Sequence, residues 1–389
     1  MFQRLYRIFP VAILGLLAAC STIAPASKEP ASAAIPARAA APEAGGVTAN
    51  PGTSAPIKVV AVGDIMLDGT ARPVLGENGY DYPFVQAKRY FEGAQVVFGN
   101  LEGPLTDRGA PEQDKTYVFH SPPQKVSQAL KAAGFNVVSL ANNHTLDYGA
   151  EGLAQTMEAL DAAGIAHAGA GATLEQARRP VIIEAGGKRI AVLAYSLTLP
   201  ESFYATANKA GTAFGHEAVV RRDIAAARRQ ADIVLVSFHW GQEGKTALRD
   251  YQVQLGHAAI DAGAAAVIGH HPHILQAIEH YKDGVILYSL GNFTFGSYSK
   301  DARVSAVAEL IFNGDRVQSL RLHPINVDNF QVAFQPQILS GPEADRVVAG
   351  LTDLSAERHT ALVNDHGAAV LSMPTALSQA GAANIPGGR

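Results

Sequence analysis

Residues 57–64 read IKVVAVGD, an apolar run that ends in a glycine and an aspartate. The residues before it are rich in alanine, proline, serine and glycine, so the composition changes abruptly at Ile57. A short β-branched run without polar alternation is typical of a strand that is buried on both faces. We therefore predict that a folded domain begins here with a buried strand, and that Asp64 lies at its carboxyl end.

The same pattern recurs along the chain, where apolar runs are separated by helix-like segments that end at glycines. Further strands are predicted at residues 94–98, 135–140, 181–184, 189–194, 233–238, 265–269, 285–290, 304–312 and 317–326. Helices are predicted at residues 122–133, 150–163, 217–230 and 248–262. This alternation predicts an α/β fold in which the late strands pair antiparallel.

The composition excludes several classes of protein. The chain has 389 residues, of which 48% are hydrophobic, and this is enough apolar material for a large core. Its formal net charge is -4 and it has no block of Lys or Arg, so we expect no nucleic-acid partner. A single cysteine excludes an intramolecular disulfide framework and a cysteine-cluster zinc site. A metal site would therefore have to use His, Asp, Glu or Asn.

Residues 1–19 have the pattern of a secretory signal peptide, with two arginines before a short apolar stretch. The segment leads into LAAC, which resembles the lipobox of bacterial lipoproteins, and this resemblance implies that Cys20 carries a lipid. Residues 20–56 would form a disordered tether, because they have too little apolar surface to offset the entropy of ordering. Ser21 favours the outer membrane, facing the periplasm. The alternative is an ordinary signal peptide with an incidental cysteine.

Candidate metal ligands follow five of the predicted strands. They are Asp64, Glu102, Asn143 with His144, His239, and His271 with His273. Loops at the carboxyl ends of strands converge on one crevice in open α/β sheets, so we expect these residues at one edge of one sheet. A mixed set of imidazole, carboxylate and amide ligands is typical of a hydrolytic dinuclear site, for which divalent Mn, Fe or Zn is plausible.

The strongest local signal is His271-Pro272-His273. Pro272 disfavours helix at His271, so the two imidazoles are expected on an extended turn rather than on a helix face. His270 comes directly before them, and of the three histidines we choose the pair around Pro272 as ligands.

For the remaining candidates, the alternative to a role in the site is a purely structural role. They would then serve as turn or capping residues, as internal hydrogen-bonding groups, or in an aromatic stack. These candidates are Asp64, Asn100, Glu102, Asn142–Asn143, His239 beside Trp240, and Asn292.

Six motifs in this order resemble the CapA/PgsA family of bacterial capsule and poly-γ-glutamate synthesis proteins. They are VGDIMLDG (62–69), GNLEGPLT (99–106), SLANNHTLDYG (139–149), VSFHWGQE (236–243), IGHHPHILQ (268–276) and YSLGNFTF (288–295). That family is similar in turn to the calcineurin-like metallophosphoesterases, which implies a two-sheet β sandwich flanked by helices. We place the CapA-like, metallophosphoesterase-fold domain at residues 57–330 and a C-terminal extension at residues 331–389.

The resemblance also implies roles for individual residues. The implied metal ligands are Asp64, Glu102 as the bridging carboxylate, Asn143, His239, His271 and His273. His144 would be the general acid or the phosphate-orienting histidine. Phosphoesterases place a histidine two residues after the first aspartate, whereas this sequence has Met66 there. A thioether is a poor ligand for a hard or borderline ion, so the first metal site is expected to lack one ligand.

Three functions are compatible with these observations. The first is a metal-dependent hydrolase of the phosphoesterase type at the cell envelope, acting on a phosphoester substrate. The second is a non-catalytic binding or assembly protein for an anionic capsule polymer such as poly-γ-glutamate, as part of a capsule-synthesis complex. The third, a purely structural tethered domain, leaves the convergence of ligands unexplained. In all three the membrane is contacted through the lipid anchor.

Overall fold

The run that begins at Ile57 forms a central strand of the larger of two main sheets. The structure is a computed structural model, and it describes residues 55–373. The first strand, Ile57–Met66, is buried at nine of its ten residues. Val59 lies in the core between the two sheets, and Val60 packs against helices on the opposite face. Burial on both faces explains why this strand is apolar without alternation.

The elements are numbered in chain order within the described residues. The strands are β1 (Ile57–Met66), β2 (Val96–Leu101), β3 (Val137–Ser139), β4 (Ala166–Ala168), β5 (Ala170–Gly171), β6 (Val181–Ala185), β7 (Lys188–Ser196), β8 (Gly211–Thr212), β9 (Ile233–His239), β10 (Ala266–His270), β11 (Ile278–Tyr281), β12 (Gly284–Leu287), β13 (Asn292–Phe295), β14 (Val304–Asn313), β15 (Arg316–Asn326), β16 (Gln337–Ile338), β17 (Val363–Asp365) and β18 (Ala368–Ser372). The α-helices are α1 (Arg72–Asn78), α2 (Lys88–Phe91), α3 (Pro123–Ala133), α4 (Gly149–Ala163), α5 (Leu174–Ala177), α6 (Glu217–Arg228), α7 (Asp250–Asp261), α8 (Asn329–Val332) and α9 (Gly341–Ala356).

The larger sheet has the strand order β17-β18-β15-β14-β1-β2-β3-β4, with β13 also paired to β1 and β16 to β15. The smaller main sheet has the order β11-β12-β10-β9-β7-β6, and β5 pairs separately with β8. Strands β1 to β4 run parallel in the larger sheet, as do β7, β9 and β10 in the smaller one. The late pair β14 and β15 is antiparallel, as the sequence predicts.

The two main sheets pack face to face, and helices cover their outer faces. Between the sheets, apolar side chains of β1, β2 and β14 share one core with those of β7, β9 and β10. Helices α3 and α4 pack against the outer face of the larger sheet, and α6 and α7 against that of the smaller one. The expected two-sheet β sandwich flanked by helices is therefore confirmed.

The expectation that all candidate ligands lie at one edge of one sheet is wrong. Strands β1, β2 and β3 belong to the larger sheet, and β9 and β10 to the smaller one. The ligands instead lie where the carboxyl ends of the parallel strands of both sheets meet. Hydrophobic patterning marks a strand as buried, but it does not identify the strand with which it pairs.

The segment that we predict as a C-terminal extension is described as far as residue 373. Within it, β18 pairs antiparallel with β15 and β17 pairs with β18, so both strands continue the larger sheet. The predicted signal peptide and Cys20 lie outside the described residues. Among the helices between residues 55 and 373, none has both the length and the apolar character needed to cross a bilayer.

Candidate metal centre

The side chains that the sequence predicts as ligands or as other site residues converge from six loops or strand ends. They are Asp64 in β1, Asn100 in β2 with Glu102 just beyond it, Asn143 and His144 after β3, His239 at the end of β9, His271 and His273 after β10, and Asn292 at the start of β13. Among residues 55–373, two groups of His and carboxylate side chains have ligand atoms that all lie within 4.8 Å of one another: Glu102, His271 and His273, and Asp64, Glu102 and His239.

A close backbone approach aligns Asn292 with Asp64. A Cβ atom at Gly63 would lie 1.8 Å from the carbonyl oxygen of Gly291, so only glycine fits there. This approach lets the Asp64 amide donate a 3.0 Å hydrogen bond to that oxygen. Asp64 and Asn292 are then direct neighbours in the parallel pair β1 and β13.

Asn100 holds the two carboxylates of the centre in place. Its Nδ2 donates to Asp64 Oδ1 at 2.8 Å and to Glu102 Oε2 at 3.2 Å, and it lies 3.3 Å from His239 Nδ1. The side-chain oxygen of Asn100, Oδ1, accepts a 3.1 Å hydrogen bond from Asn142 Nδ2. Since Asn100 and both carboxylates are buried, these bonds fix the carboxylate positions.

Two buried atoms at the centre have no hydrogen-bond partner. They are Glu102 Oε1 and His271 Nδ1, and only two other buried side-chain nitrogen or oxygen atoms of residues 55–373 share this condition. Around Glu102 Oε1, the nearest imidazole nitrogens are His239 Nε2 at 3.6 Å and His273 Nε2 at 3.9 Å. An unsatisfied buried acceptor costs about 1–3 kcal/mol, and a ligand that binds both atoms would offset this cost. A carboxylate oxygen and an imidazole nitrogen are donor types that a divalent transition metal prefers.

The electrostatics of the carboxylates favour a bound cation. Burial raises the pKa of Glu102 well above its ordinary value, and the nearby charge of Asp64 raises it further. Burial also raises the pKa of Asp64, but the hydrogen bond from His273 and the positive charges of His270 and His273 outweigh it and hold this pKa below its ordinary value. Asp64 is therefore held in its charged form, whereas ionised Glu102 is disfavoured unless a positive charge lies beside it.

Two histidines of the centre are held in the neutral form that binds metals. Burial, then repulsion from His273, lowers the pKa of His271 to about 3. Burial, then repulsion from His271, holds the pKa of His239 well below its ordinary value. His273 differs, because the charge of Glu102 and the contact with Asp64 outweigh burial and raise its pKa to about 10.

The turn that carries His271 and His273 is strained. Their φ angles are 94° and 61°, in the left-handed region that non-glycine residues rarely adopt. The turn lies outside any helix, as predicted, but its backbone is not extended, and that part of the prediction is wrong. The hydrogen bond from the Gly244 amide to the Pro272 carbonyl and the bond from the His271 amide to Asp64 Oδ2 hold it in this shape. Strain of this kind is concentrated at functional sites.

His270 is not placed as a ligand. Its Nδ1 lies 3.2 Å from Ser237 Oγ and its Nε2 lies 3.2 Å from the carbonyl oxygen of Val62. Both ring nitrogens therefore contact groups outside the candidate centre, whereas the partners of His239, Asn100 and Asn143, belong to it. This leaves the pair around Pro272, His271 and His273, as the metal-binding candidates of this segment.

The two asparagines after β3 have different partners. Asn142 Oδ1 accepts hydrogen bonds from the His144 amide and the Thr145 hydroxyl, both at 3.0 Å, so its side chain shapes the turn. Asn143 Oδ1 instead lies 2.7 Å from His239 Nε2, at the metal centre. A structural role in an aromatic stack is the alternative for His239 beside Trp240. It is the Trp240 ring, rather than His239, that stacks on Phe238 inside the core.

His144 has two partners that sequence reasoning missed. Its Nδ1 lies 2.7 Å from Asp147 Oδ2 and 3.2 Å from Lys115 Nζ, and the Lys115 ammonium also donates to Asp147 Oδ1 and to the Asn143 carbonyl. Asp147 could have been predicted as a partner, since it lies three residues after His144 in the motif SLANNHTLDYG. Nothing in the sequence near Lys115 marks it. Burial, opposed by Asp147, lowers the pKa of His144.

Met66 occupies the place where phosphoesterases would have a histidine ligand. It is buried and lies opposite Phe295 in the pairing of β1 with β13. The imidazole nearest to Asp64 comes instead from His273, whose Nδ1 lies 3.2 Å from Asp64 Oδ2 and 2.9 Å from Asn292 Oδ1. His273 and Asn292 thus lie beside the first aspartate, where the expected histidine is missing.

Comparison with known proteins gives the family. The model of the bacterial capsule synthesis protein PGA_cap matches residues 58–297. The chain belongs to this PGA_cap family. The capsule biosynthesis protein CapA of Bacillus anthracis is 32% identical over 302 residues, which cover 76% of this chain and 73% of that protein. The PGA biosynthesis protein CapA of Bacillus subtilis is 33% identical over 268 residues, covering 68% of this chain and 70% of that protein.

Two solved structures are similar at a lower level. The NAD nucleotidase of Haemophilus influenzae has 11% identity and a TM-score of 0.44, covering 77% of this chain and 62% of that one. The calcineurin-like phosphoesterase YfkN of Bacillus subtilis has 15% identity and a TM-score of 0.40, covering 67% of this chain and 87% of that one. The case for a site in this PGA_cap protein therefore depends on its own geometry.

Proposed function

We propose that this PGA_cap protein is a metal-dependent hydrolase of the phosphoesterase type that acts in capsule or poly-γ-glutamate biosynthesis at the cell envelope. The observation that carries the proposal is the pair of unpartnered buried atoms, Glu102 Oε1 and His271 Nδ1, inside a cluster of metal-ligand side chains. Family membership supports the biological setting, and the cluster supports the chemistry.

The residues that would hold a divalent ion are Asp64, Glu102, Asn143, His239, His271 and His273. Their oxygen and nitrogen donors suit Mn, Fe or Zn. When bound, such an ion would act as a Lewis acid toward an anionic substrate oxygen. Asn100 and Asn292 would orient ligands, through hydrogen bonds to the carboxylates and to His273.

His144 would supply a proton to the leaving oxygen. Its Nδ1 bonds to Asp147 Oδ2 at 2.7 Å, so Nε2 is the nitrogen that would face the substrate, and it would donate from the protonated ring, the form that Asp147 favours against burial. Asp147 is fully buried and would fix the ring orientation. Lys115 would hold both Asp147 and the Asn143 carbonyl, so that the general acid and a metal ligand keep a constant relative position.

Metal content and turnover test the proposal together. The full chain, purified and dialysed, should retain a divalent transition metal and release phosphate from a generic phosphoester such as 4-nitrophenyl phosphate. Removal of the metal by a chelator should abolish the release, and its return should restore it. A chain that binds no divalent metal under any of these conditions would contradict the proposal.

Non-catalytic binding of an anionic capsule polymer is the second candidate, and Met66 favours it. A thioether in place of an imidazole weakens the first metal position, which matters more for hydrolysis than for holding a carboxylate polymer. The two candidate functions predict different results when His144 is replaced. Replacement of this residue should abolish hydrolysis, whereas it should leave polymer binding close to normal.

We also propose that Cys20 anchors the protein to the membrane, in the outer membrane facing the periplasm. Because one residue carries the anchor, Cys20→Ala should release the protein from the membrane fraction. A Cys20→Ala variant that still sediments with membranes in high salt would exclude the lipoprotein proposal.

A further inference from the structure

An irregular segment between β2 and α3 is fastened across the turn that carries His144. Asp147, which is fully buried, accepts a hydrogen bond from Lys115 Nζ on Oδ1 and one from the Phe119 amide on Oδ2, the latter at 2.8 Å. The next amide, that of His120, donates to Asp68 Oδ2 at 2.7 Å. The residues between Lys115 and Phe119 are therefore held at both ends although they form no helix or strand.

Aromatic rings on this segment lead from the candidate centre to the solvent. The Phe119 ring lies 4.8 Å from the His144 ring, measured between centroids. Tyr117 follows at 6.5 Å from Phe119, with the two ring planes only 13° apart. On the other side, Phe295 lies 6.5 Å from Phe119 and 4.6 Å from His273. The row thus begins at two histidines of the candidate site.

The outermost ring of the row is exposed. Tyr117 is 69% exposed, so it contributes little burial to the fold. Single exposed aromatic residues are common on protein surfaces. Tyr117 differs from these because its segment is held by a buried carboxylate and because Phe119 continues the row to His144. A tyrosine has few rotatable bonds, so a fixed tyrosine can bind a ligand at a low entropic cost.

The segment offers a ring surface rather than a positive charge. Lys115 Nζ donates to the Asn143 carbonyl and to Asp147 Oδ1, whereas His144 Nδ1, at 3.2 Å, is used by its 2.7 Å bond to Asp147 Oδ2 and is a neighbour rather than a third acceptor. The Lys115 side chain is only 13% exposed and its charge is paired with the buried Asp147 carboxylate, whereas the Tyr117 ring of the same segment faces outward.

We propose that Tyr117 and Phe119 form a subsite that stacks against a flat ring in the substrate, beside the bond that is hydrolysed. The proposal rests on the proposed function, because it takes the scissile group to lie at the metal centre. The substrate class is a ring-bearing phosphoester. Its ring is either an aromatic heterocycle, as in a nucleotide, or the apolar face of a sugar, and both chemistries use the same aromatic surface. A small aliphatic phosphoester would gain nothing from this subsite.

The test compares three phosphoesters on the full chain and on Tyr117→Ala: adenosine monophosphate, glucose 1-phosphate and glycerol 3-phosphate. Binding is measured by calorimetry and hydrolysis by phosphate release. The variant should raise KM and Kd about 5- to 150-fold for the ring-bearing ester that the subsite accepts, which is the range for loss of one stacking contact. It should leave kcat, and all constants for glycerol 3-phosphate, unchanged.

Phe330→Ala is the matched control, because Phe330 is 63% exposed and contacts Tyr298 rather than the Tyr117 row. It should change none of these constants. A loss confined to adenosine monophosphate would assign an aromatic heterocycle, and one confined to glucose 1-phosphate would assign a sugar.

An equal change for all three esters, no change for any of them, or equal affinity of the unaltered chain for ring-bearing and ring-free esters would overturn the subsite. Binding that depends on Tyr117 without any hydrolysis would leave the subsite standing and overturn the hydrolytic function. Hydrolysis that is unchanged in Tyr117→Ala would leave the hydrolytic function standing and would overturn the subsite.

Discussion

The site is built from two histidine-bearing turns that use their polar atoms in opposite ways. In the Pro272 turn, residues 271–273, the backbone is strained at both histidines and His271 Nδ1 has no partner. In the Asn142 turn, residues 142–147, side chains bond one another and the backbone, as when Asn142 accepts from the His144 amide. The first turn has a buried nitrogen with no partner in the fold, whereas no buried side-chain atom of the second turn lacks one.

This difference assigns the two turns to different tasks. Strain and an unsatisfied nitrogen cost free energy in the folded chain, and a bound cation would offset that cost. A turn saturated with hydrogen bonds instead fixes one ring in one orientation, which is what proton transfer to a substrate requires. The comparison predicts that damage to the Pro272 turn removes metal, and that damage to the Asn142 turn removes turnover while metal stays.

The largest effect is expected for His271→Ala. The variant should lose bound metal and with it all measurable turnover, and it should keep its fold because the residue lies in a loop beyond β10. Metal per chain by mass spectrometry and the circular dichroism spectrum check this together. His167→Ala is the matched control, since His167 also has an unpartnered buried Nδ1 but lies in β4. Retained metal in His271→Ala would remove the basis of the metal site.

His144→Ala should keep its metal and lose about 10²–10⁴-fold in kcat, the usual contribution of a general acid. Steady-state kinetics and metal analysis on the same preparation measure both quantities. If His144→Ala loses as much metal as His271→Ala, His144 is a ligand and the contrast between the two turns fails.

Lys115→Met should lower turnover about 10- to 100-fold, the range for residues that orient ligands or catalytic groups. It should also lower the free energy of unfolding by about 3–5 kcal/mol, because it removes one partner of the buried ion pair between Lys115 and Asp147. Denaturant unfolding measures this change, and Lys209→Met, at an exposed lysine that donates to the Ser202 carbonyl, is the control.

The double variant Lys115→Met with Asp147→Asn removes both charges. It should recover most of the lost stability without recovering turnover. Recovery of turnover as well would mean that Lys115 serves only to balance charge.

The smallest functional effect is expected for His270→Ala. Both of its ring nitrogens bond within the fold, so the variant should lose about 1–3 kcal/mol of stability while metal per chain stays the same. Thermal unfolding and metal analysis provide the check. Loss of metal here would mean that His270, and not only the pair around Pro272, is part of the centre.

Much of the architecture was predictable, because it follows from local patterns. The apolar run from Ile57 identified a buried strand, and the glycines after the helix-like segments marked helix ends such as Gly134 and Gly164. The assignment of strands to two sheets was not predictable from these patterns. Strand β13 was missed altogether, since its pairing depends on the close approach of Gly63 and Gly291, which are far apart in the chain.

The candidate site was predictable where a residue lies close to the carboxyl end of a strand, as Asp64, Glu102 and His239 do. It was not predictable where a partner comes from a distant irregular segment. Lys115 reaches Asp147 across 32 residues, and no periodicity leads to that contact. The unpartnered state of His271 likewise depends on a strained backbone that sequence patterns do not reveal.

The most direct test of the central claim is a crystal of the full chain or its folded domain, measured at the absorption edge of the metal found in the purified protein. The account predicts an anomalous peak about 2.0–2.2 Å from both Glu102 Oε1 and His271 Nδ1, which is ligand distance for oxygen and nitrogen donors. A metal-replete crystal without a peak between these two atoms, or with its only peak elsewhere, would contradict the account.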